Sequence, residues 1–146
     1  MGRRVTLVDA SAIVAILVRE PDAERLSQAI DAAPPPLLVS PLTIFEASLS
    51  LARAKLGPRP ARKPTSHEIR AALAVVVAFV EANDLTEIEI SGAIGRQAVE
   101  AAAVYGKAVG HEADLNFGDC FAYAAAKANG ARLVYKGEDF SRTDLA

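Results

Sequence analysis

VTLVDASAIVAILVR, Val5–Arg19, is the stretch from which the fold is read. Val5–Val8 is short, apolar and β-branched, as a strand covered on both faces must be. It runs into Asp9-Ala10-Ser11 without a turn-rich break and passes into a helix over about Ser11–Arg19. Strand, acid, helix is the entry to an α/β fold, in which chemistry gathers at the carboxyl ends of strands. Asp9 also suits a helix N-cap, and so does Ser11.

The same alternation continues along the chain. Asp22–Ala32 reads as a helix with Leu26 and Ile30 four residues apart, and Pro34-Pro35-Pro36 is a stiff connector that forbids helix. Leu37–Val39 is a brief second strand. Ser40-Pro41 supplies a cap and a proline at the first helical position. The helix that follows runs to Leu56 with an expected apolar stripe of Leu42, Phe45, Leu49, Ala52 and Leu56. Ser66–Ala82, rich in Ala and Val, is expected to be a long helix buried on more than one side. Leu85–Ile90 alternates like a half-exposed strand, and Ser91 caps a helix over about Gly92–Val104. Asn116–Gly130, NFGDCFAYAAAKANG, is an alanine-rich helix with Asp119 at its start and Gly130 as its C′ glycine. Ala131–Tyr135 is the last strand. The alternation predicts a parallel α/β sheet covered on both faces.

The 146 residues make one domain by length. Half are apolar, aromatics are few and Trp is absent, so the core must be built mostly from Ala, Val, Leu and Ile. A net charge of −2 gives no global positive field for nucleic acid. The one basic concentration is Arg53, Lys55, Arg59, Arg62, Lys63 and Arg70, opposed only by Glu68. Part of it lies in the proline-rich loop Gly57–Ser66, which reads either as a solvated loop or as a flap in which Arg59, Arg62 and Lys63 grip phosphates. The single cysteine, Cys120, excludes an internal disulfide and a thiolate zinc cluster; it reads as a small buried hydrophobe and fits a reducing cytoplasm. Arg3 and Arg4 precede an apolar run that Asp9 interrupts and Arg19-Glu20 closes, so neither a signal peptide nor a membrane span is expected. His67 and His111 have no His or Cys neighbour at ligand spacing and suit surface or capping roles.

Four acids stand in comparable settings: Asp9 ends the first strand, Glu46 interrupts a helical stripe, Asp119 opens the alanine-rich helix and Asp139 follows the last strand. A carboxylate aimed into a core is costly unless it is paired or holds a metal. Carboxylates brought together raise one another's pKa, and a cation removes that cost. Oxygen ligands with no His or Cys suit Mg²⁺ or Mn²⁺ far better than zinc. Such ions activate water and stabilise the oxygens of a phosphodiester under attack.

The chain resembles the PIN-domain ribonucleases, specifically the VapC type of toxin from bacterial type II toxin–antitoxin pairs. The matching pieces are VDASA at Asp9, TIFEASL around Glu46, LNFGDCFAYAAAK around Asp119 and YKGEDFSRTDL at the end, and together they span nearly the whole chain. The resemblance implies a PIN-like three-layer α/β/α fold with a short central parallel sheet of four to five strands. It implies that Asp9, Glu46, Asp119 and Asp139 bind the metal, that Ser11 supports the site and that Asn116 orients the loop before Asp119. Glu138 stands where an Asn is common, so either Glu138 or Asp139 approaches the metal. Asp144 matches a recurring TD and reads as structural. The implied activity is a Mg²⁺- or Mn²⁺-dependent endoribonuclease acting on single-stranded or looped RNA, structured RNAs such as tRNA included. The implied partners are a cognate VapB-like antitoxin whose peptide fills the cleft, and a second toxin copy in a homodimer within a higher toxin–antitoxin assembly.

Two other readings compete. A phosphoryl-accepting receiver domain fits Lys136, but it needs a second acid after the first strand and an Asp after a middle one; Ala10-Ser11 and Ser40 stand there instead. A non-catalytic PIN-like module that binds RNA or protein keeps the fold and loses the chemistry, and the presence of all four acids weighs against it.

Overall fold

The computed structural model describes residues 5–145; Arg3 and Arg4, on which part of the targeting argument rests, lie outside the described residues. In chain order the elements are β1 (Val5–Val8), α1 (Ala10–Leu17), α2 (Ala23–Ala32), β2 (Leu37–Val39), α3 (Pro41–Ala54), α4 (Ser66–Ala82), β3 (Leu85–Glu87), α5 (Gly92–Tyr105), a 3₁₀ turn (Lys107–Val109), α6 (Phe117–Ala128) and β4 (Ala131–Val134). The four strands form one parallel sheet in the order β3-β2-β1-β4. No helix among the described residues is long and apolar enough to cross a membrane.

Strand side chains point alternately to the two faces, so each strand feeds two cores. Val5, Leu7, Leu38, Ala131 and Leu133 pack against α5 and α6. Val8, Leu37, Val39 and Val134 pack against α1, α2 and α3. Five alanines, Ala122, Ala124, Ala125, Ala126 and Ala131, are buried at the α6–β4 layer, which lets the helix lie close to the sheet. Gly130 ends α6 at φ +60°, a left-handed position that a side chain would strain.

Three expectations are corrected. α4 buries only Ala72 and Val76 and leaves Leu73 43% exposed, because it packs on the outside of α3 rather than inside a layer. Its Ala and Val content reflects helix-compatible small side chains, not two-sided burial. In α3 the buried face is Thr43, Ala47, Ser48, Leu51 and Ala52, while Phe45 is 63% exposed. The face is turned because two small hydroxyl residues can hide: Thr43 hydroxyl pairs with Ser40 Oγ at 3.1 Å, and Ser48 Oγ donates to the Ile44 carbonyl at 2.7 Å. Finally, β3 keeps only three residues of the expected six, although the Ile88 amide still donates to the Val39 carbonyl.

After β4 the chain doubles back over α6. Tyr123 Oη donates to Asp144 Oδ1 at 2.5 Å and Lys127 Nζ to Asp144 Oδ2 at 2.7 Å. The Lys127 bond, then the Tyr123 bond, holds the Asp144 carboxyl below the usual range. A group with a depressed folded pKa contributes stability above its unfolded value, near 4, and loses it as the pH falls. Asp144→Ala should therefore cost about 1 kcal/mol at neutral pH, a figure kept low because the pair is half exposed. Thermal denaturation should show Tm about 2–4 °C lower at pH 7, with the difference closing below pH 4.

Candidate active site

The strand order reverses at β1: β2 lies on one side and β4 on the other. Such a switch point leaves a crevice at the carboxyl ends of the two strands, where open α/β sheets bind ligands. The Asp9 amide donates to the Val134 carbonyl at 2.9 Å and carries the β1–β4 ladder one residue into that crevice. A cleft of about 320 Å³ opens there, and Asp9, Glu46, Asp119 and Asp139 all line it, with Ser11, Asn116, Glu20 and Lys136.

Each acid is placed by its own element. Asp9 is the N-cap of α1 and is only 6% exposed. Its Oδ2 accepts from the Ser11 amide at 3.1 Å and from Ser11 Oγ at 2.6 Å. Ser11 Oγ in turn accepts from the Lys136 amide at 2.9 Å. One hydroxyl thus links β1, α1 and the segment after β4. Capping and function are not alternatives here, since Oδ2 caps the helix and Oδ1 carries none of these bonds.

Asp119 lies at the third residue of α6, two residues further in than the expected helix start. Asn116 is the cap. Its Oδ1 accepts from the Asp119 amide at 2.9 Å, and Asp119 Oδ2 accepts from the Asn116 amide at 3.1 Å. This reciprocal capping box fixes the carboxylate's orientation and again engages one oxygen. Glu46 comes from the second turn of α3, beside the buried Ala47. Asp139 follows the turn at Gly137, whose φ of +91° reverses the chain after β4.

Burial first, and then the charge of neighbouring acids, pushes Asp9, Glu46 and Asp119 upward. Burial raises Asp9, with Asp139 adding to the rise. Glu46 is pushed up to about 7 by burial and by Asp9. Asp119 is pushed up to about 7 by burial and by the charges of Asp139, Asp9 and Glu46. The four therefore feel one another across the cleft. Among the described residues no three acidic, histidine or cysteine side chains form a ready-made metal-binding group. Side-chain rotation would be needed to gather them around one ion. The donor set still fits a hard divalent ion: carboxylate, hydroxyl and amide oxygens, with no imidazole or thiolate lining the cleft.

The remaining candidates are placed elsewhere. Glu138 lines a neighbouring groove with Arg25, Arg132 and Tyr135, and its backbone carbonyl accepts from Ser141 Oγ at 2.6 Å. Asp139, not Glu138, lies in the acidic cleft. Arg59, Arg62 and Lys63 do not line it, and Arg62 is paired with Glu68 through two bonds of 2.7 and 3.0 Å. Cys120 is buried, and burial, then the charge of Asp119, pushes its thiol up, as befits an inert hydrophobe. His111 Nδ1 accepts from the Ala113 amide at 3.0 Å and closes a turn.

Sequence reading passed over Gly118, Glu20 and Lys136 as site residues. Gly118 is the sharpest omission. A Cβ built on it would fall on the Glu46 carboxylate, so the missing side chain leaves the space that this carboxylate occupies beside the start of α6. A glycine inside the first turn of a helix, one residue before an acid, was the available signal. Lys136 stands in the last matching piece without a role of its own and Glu20 stands in none, and only the fold joins them.

The chain belongs to the PIN-domain family. The family's sequence profile matches residues 6–145. A VapC ribonuclease of Rhizobium meliloti is 45% identical over 141 residues, covering 97% of this chain and 99% of the relative. Ribonuclease VapC30 of Mycobacterium tuberculosis is 37% identical over 140 residues, covering 96% and 95%. The fold is similar to that of the Mycobacterium tuberculosis VapC20 crystal structure, a sarcin–ricin loop cleaving toxin, with a TM-score of 0.69 at 16% identity over 97% of this chain and 96% of that one. It is also similar to a chain of a toxin–antitoxin complex from Klebsiella pneumoniae, with a TM-score of 0.62 at 19% identity over 96% and 93%.

Two outcomes test the geometry of this PIN domain. A carboxylate whose folded pKa is raised binds more protons in the native state, so stability falls as the pH climbs from the unfolded value through the folded one. In EDTA the wild type should lose stability relative to Asp119→Asn between pH 5 and pH 8, by thermal denaturation, and Mg²⁺ should cancel the loss. Gly118→Ala should cost about 0.5–1.5 kcal/mol, the cost of pushing the flexible end of Glu46 off its rotamer. In a Glu46→Ala chain the same substitution should instead stabilise by up to about 1 kcal/mol, since alanine outranks glycine in a helix; a double-mutant cycle by chemical denaturation reads both.

Proposed function

We propose that this chain is the toxin endoribonuclease of a toxin–antitoxin pair and hydrolyses RNA phosphodiester bonds with Mg²⁺ or Mn²⁺ held by Asp9, Glu46, Asp119 and Asp139. The observation that carries the proposal is the meeting of four carboxylates, from four separate elements, in one cleft at the β1–β4 switch point. Near-full-length similarity to relatives named VapC ribonucleases supports it.

A divalent ion bound there would supply an activated water and charge stabilisation for the phosphoryl oxygens. The protein's own part is orientation. Ser11 and the Asn116 capping box each engage one oxygen of a key acid, so Asp9 and Asp119 present their other oxygen to the cleft at fixed angles. The raised pKa values of Glu46 and Asp119 mean that protons compete with metal below about pH 7. The partners in this reading are an RNA substrate, tRNA or another structured RNA, and a VapB-like antitoxin that brings basic side chains to the acidic cleft. The toxin pairs as a homodimer within a larger assembly, in the cytoplasm. Arg59 and Lys63, which make no ion pair among the described residues, add outer phosphate contacts.

Purified, antitoxin-free protein should cut total RNA into discrete fragments with Mg²⁺ or Mn²⁺ and not with EDTA. Asp119→Asn should fall to the EDTA background at unchanged fold. Ser11→Ala, which loosens Asp9 without removing an acid, should lose about 10–100-fold. Folded protein that cuts nothing with either metal would leave the non-catalytic RNA- or protein-binding module in its place.

A further inference from the structure

The acidic cleft must admit a polyanion, yet Asp9, Glu20, Glu46, Asp119 and Asp139 all line it. One cationic side chain lines it with them, Lys136. Its backbone amide is fixed by Ser11 Oγ, one bond from Asp9, so the root of the side chain sits beside the chemistry. Its ammonium is bound to the Glu20 carboxylate at the cleft wall, and both side chains remain partly exposed, at 40% and 30%. Glu20 itself is fixed by a backbone bond of 2.9 Å to the Ala15 carbonyl, just after α1 turns at Arg19.

The geometry points to Lys136 as the side chain that takes the RNA phosphate next to the cleavage site, with Glu20 holding it to one wall until RNA arrives. The inference rests on the nuclease reading above. An ammonium on a four-carbon stem is a mobile point charge and a common phosphate binder. Left alone near four carboxylates it would fold onto them and occupy the place of a metal. Glu20 prevents that by offering a carboxylate outside the cluster. An exposed ion pair contributes little stability, so a phosphate can displace Glu20 at small cost. Glu20 is then a positioning residue, and Lys136 the one that touches substrate.

A tie that merely braces the fold and a parked phosphate ligand respond differently when each partner is removed. Binding of a fluorescent single-stranded RNA oligonucleotide is measured with Mg²⁺ in the uncleaving Asp119→Asn chain, across 50–200 mM salt. Adding Lys136→Met should raise Kd about tenfold and flatten the salt slope by about 0.7, one phosphate contact on a single strand. Adding Glu20→Gln should move Kd the other way, two- to threefold tighter, because the ammonium no longer has to leave a carboxylate. Lys136→Arg should retain most of the affinity. An unchanged Kd and slope with Lys136→Met overturns the proposal. So does equal weakening by Glu20→Gln and Lys136→Met, which marks a structural tie. If the Asp119→Asn chain binds no RNA and the wild type cuts none, the nuclease reading fails and this one falls with it.

Discussion

A buried carboxylate at the end of the central strand is the constraint on which this structure turns. Asp9 is nearly inaccessible and sits where a charge is costly. Its position is held by the ladder bond to Val134, by the first turn of α1 and by the Ser11 hydroxyl that reaches the chain after β4. Those bonds stabilise its ionised form, while burial and Asp139 oppose it. The other acids share its cleft: Glu46 from α3 and Asp119 from the first turn of α6 line it, and both feel the charge of Asp9. The crevice of an open parallel sheet becomes a site here because a charge that resists desolvation was built into its floor.

Much of this was legible in the sequence, for reasons specific to each element. β1 is a short β-branched run and β4 a short run ending in Leu133-Val134, each with an acid at or shortly after its end, and an acid following a strand has few reasons to be there. Ser40, Ser91 and Gly130 end or begin helices by local chemistry, so their roles do not depend on the rest of the fold. The face of α3 was misread because hydropathy cannot foresee that Thr43 and Ser48 hide their hydroxyls on the helix itself. Glu46 nevertheless points to the cleft, since it lies next to the true buried face as well as the expected one. α4 was misread because a helix packed on another helix needs only one narrow apolar stripe, and Ala72 with Val76 provides it.

The site residues divide in the same way. Asp9, Glu46, Asp119 and Asp139 announce themselves as charges out of place. Gly118 is defined by what it lacks, and its meaning appears only when the Glu46 carboxylate is found in the space beside it. Glu20 and Lys136 are 116 residues apart and look like ordinary surface charges until the fold sets them side by side. Local chemistry was readable; long-range company was not.

The β1–β4 pairing has a further consequence for how the chain acquires its chemistry as it is made. Val5 to Val8 are made before the strand they pair with in register, Ala131–Val134, and most of the fold lies between the two. The Ser11–Lys136 bond closes across 125 residues, and Asp139 follows it. Until then the crevice has one wall and three of its four acids. A chain that stops short of β4 therefore lacks Asp139 and the segment after β4 that holds Ser11. The four acids share one cleft only once β4 has docked on β1.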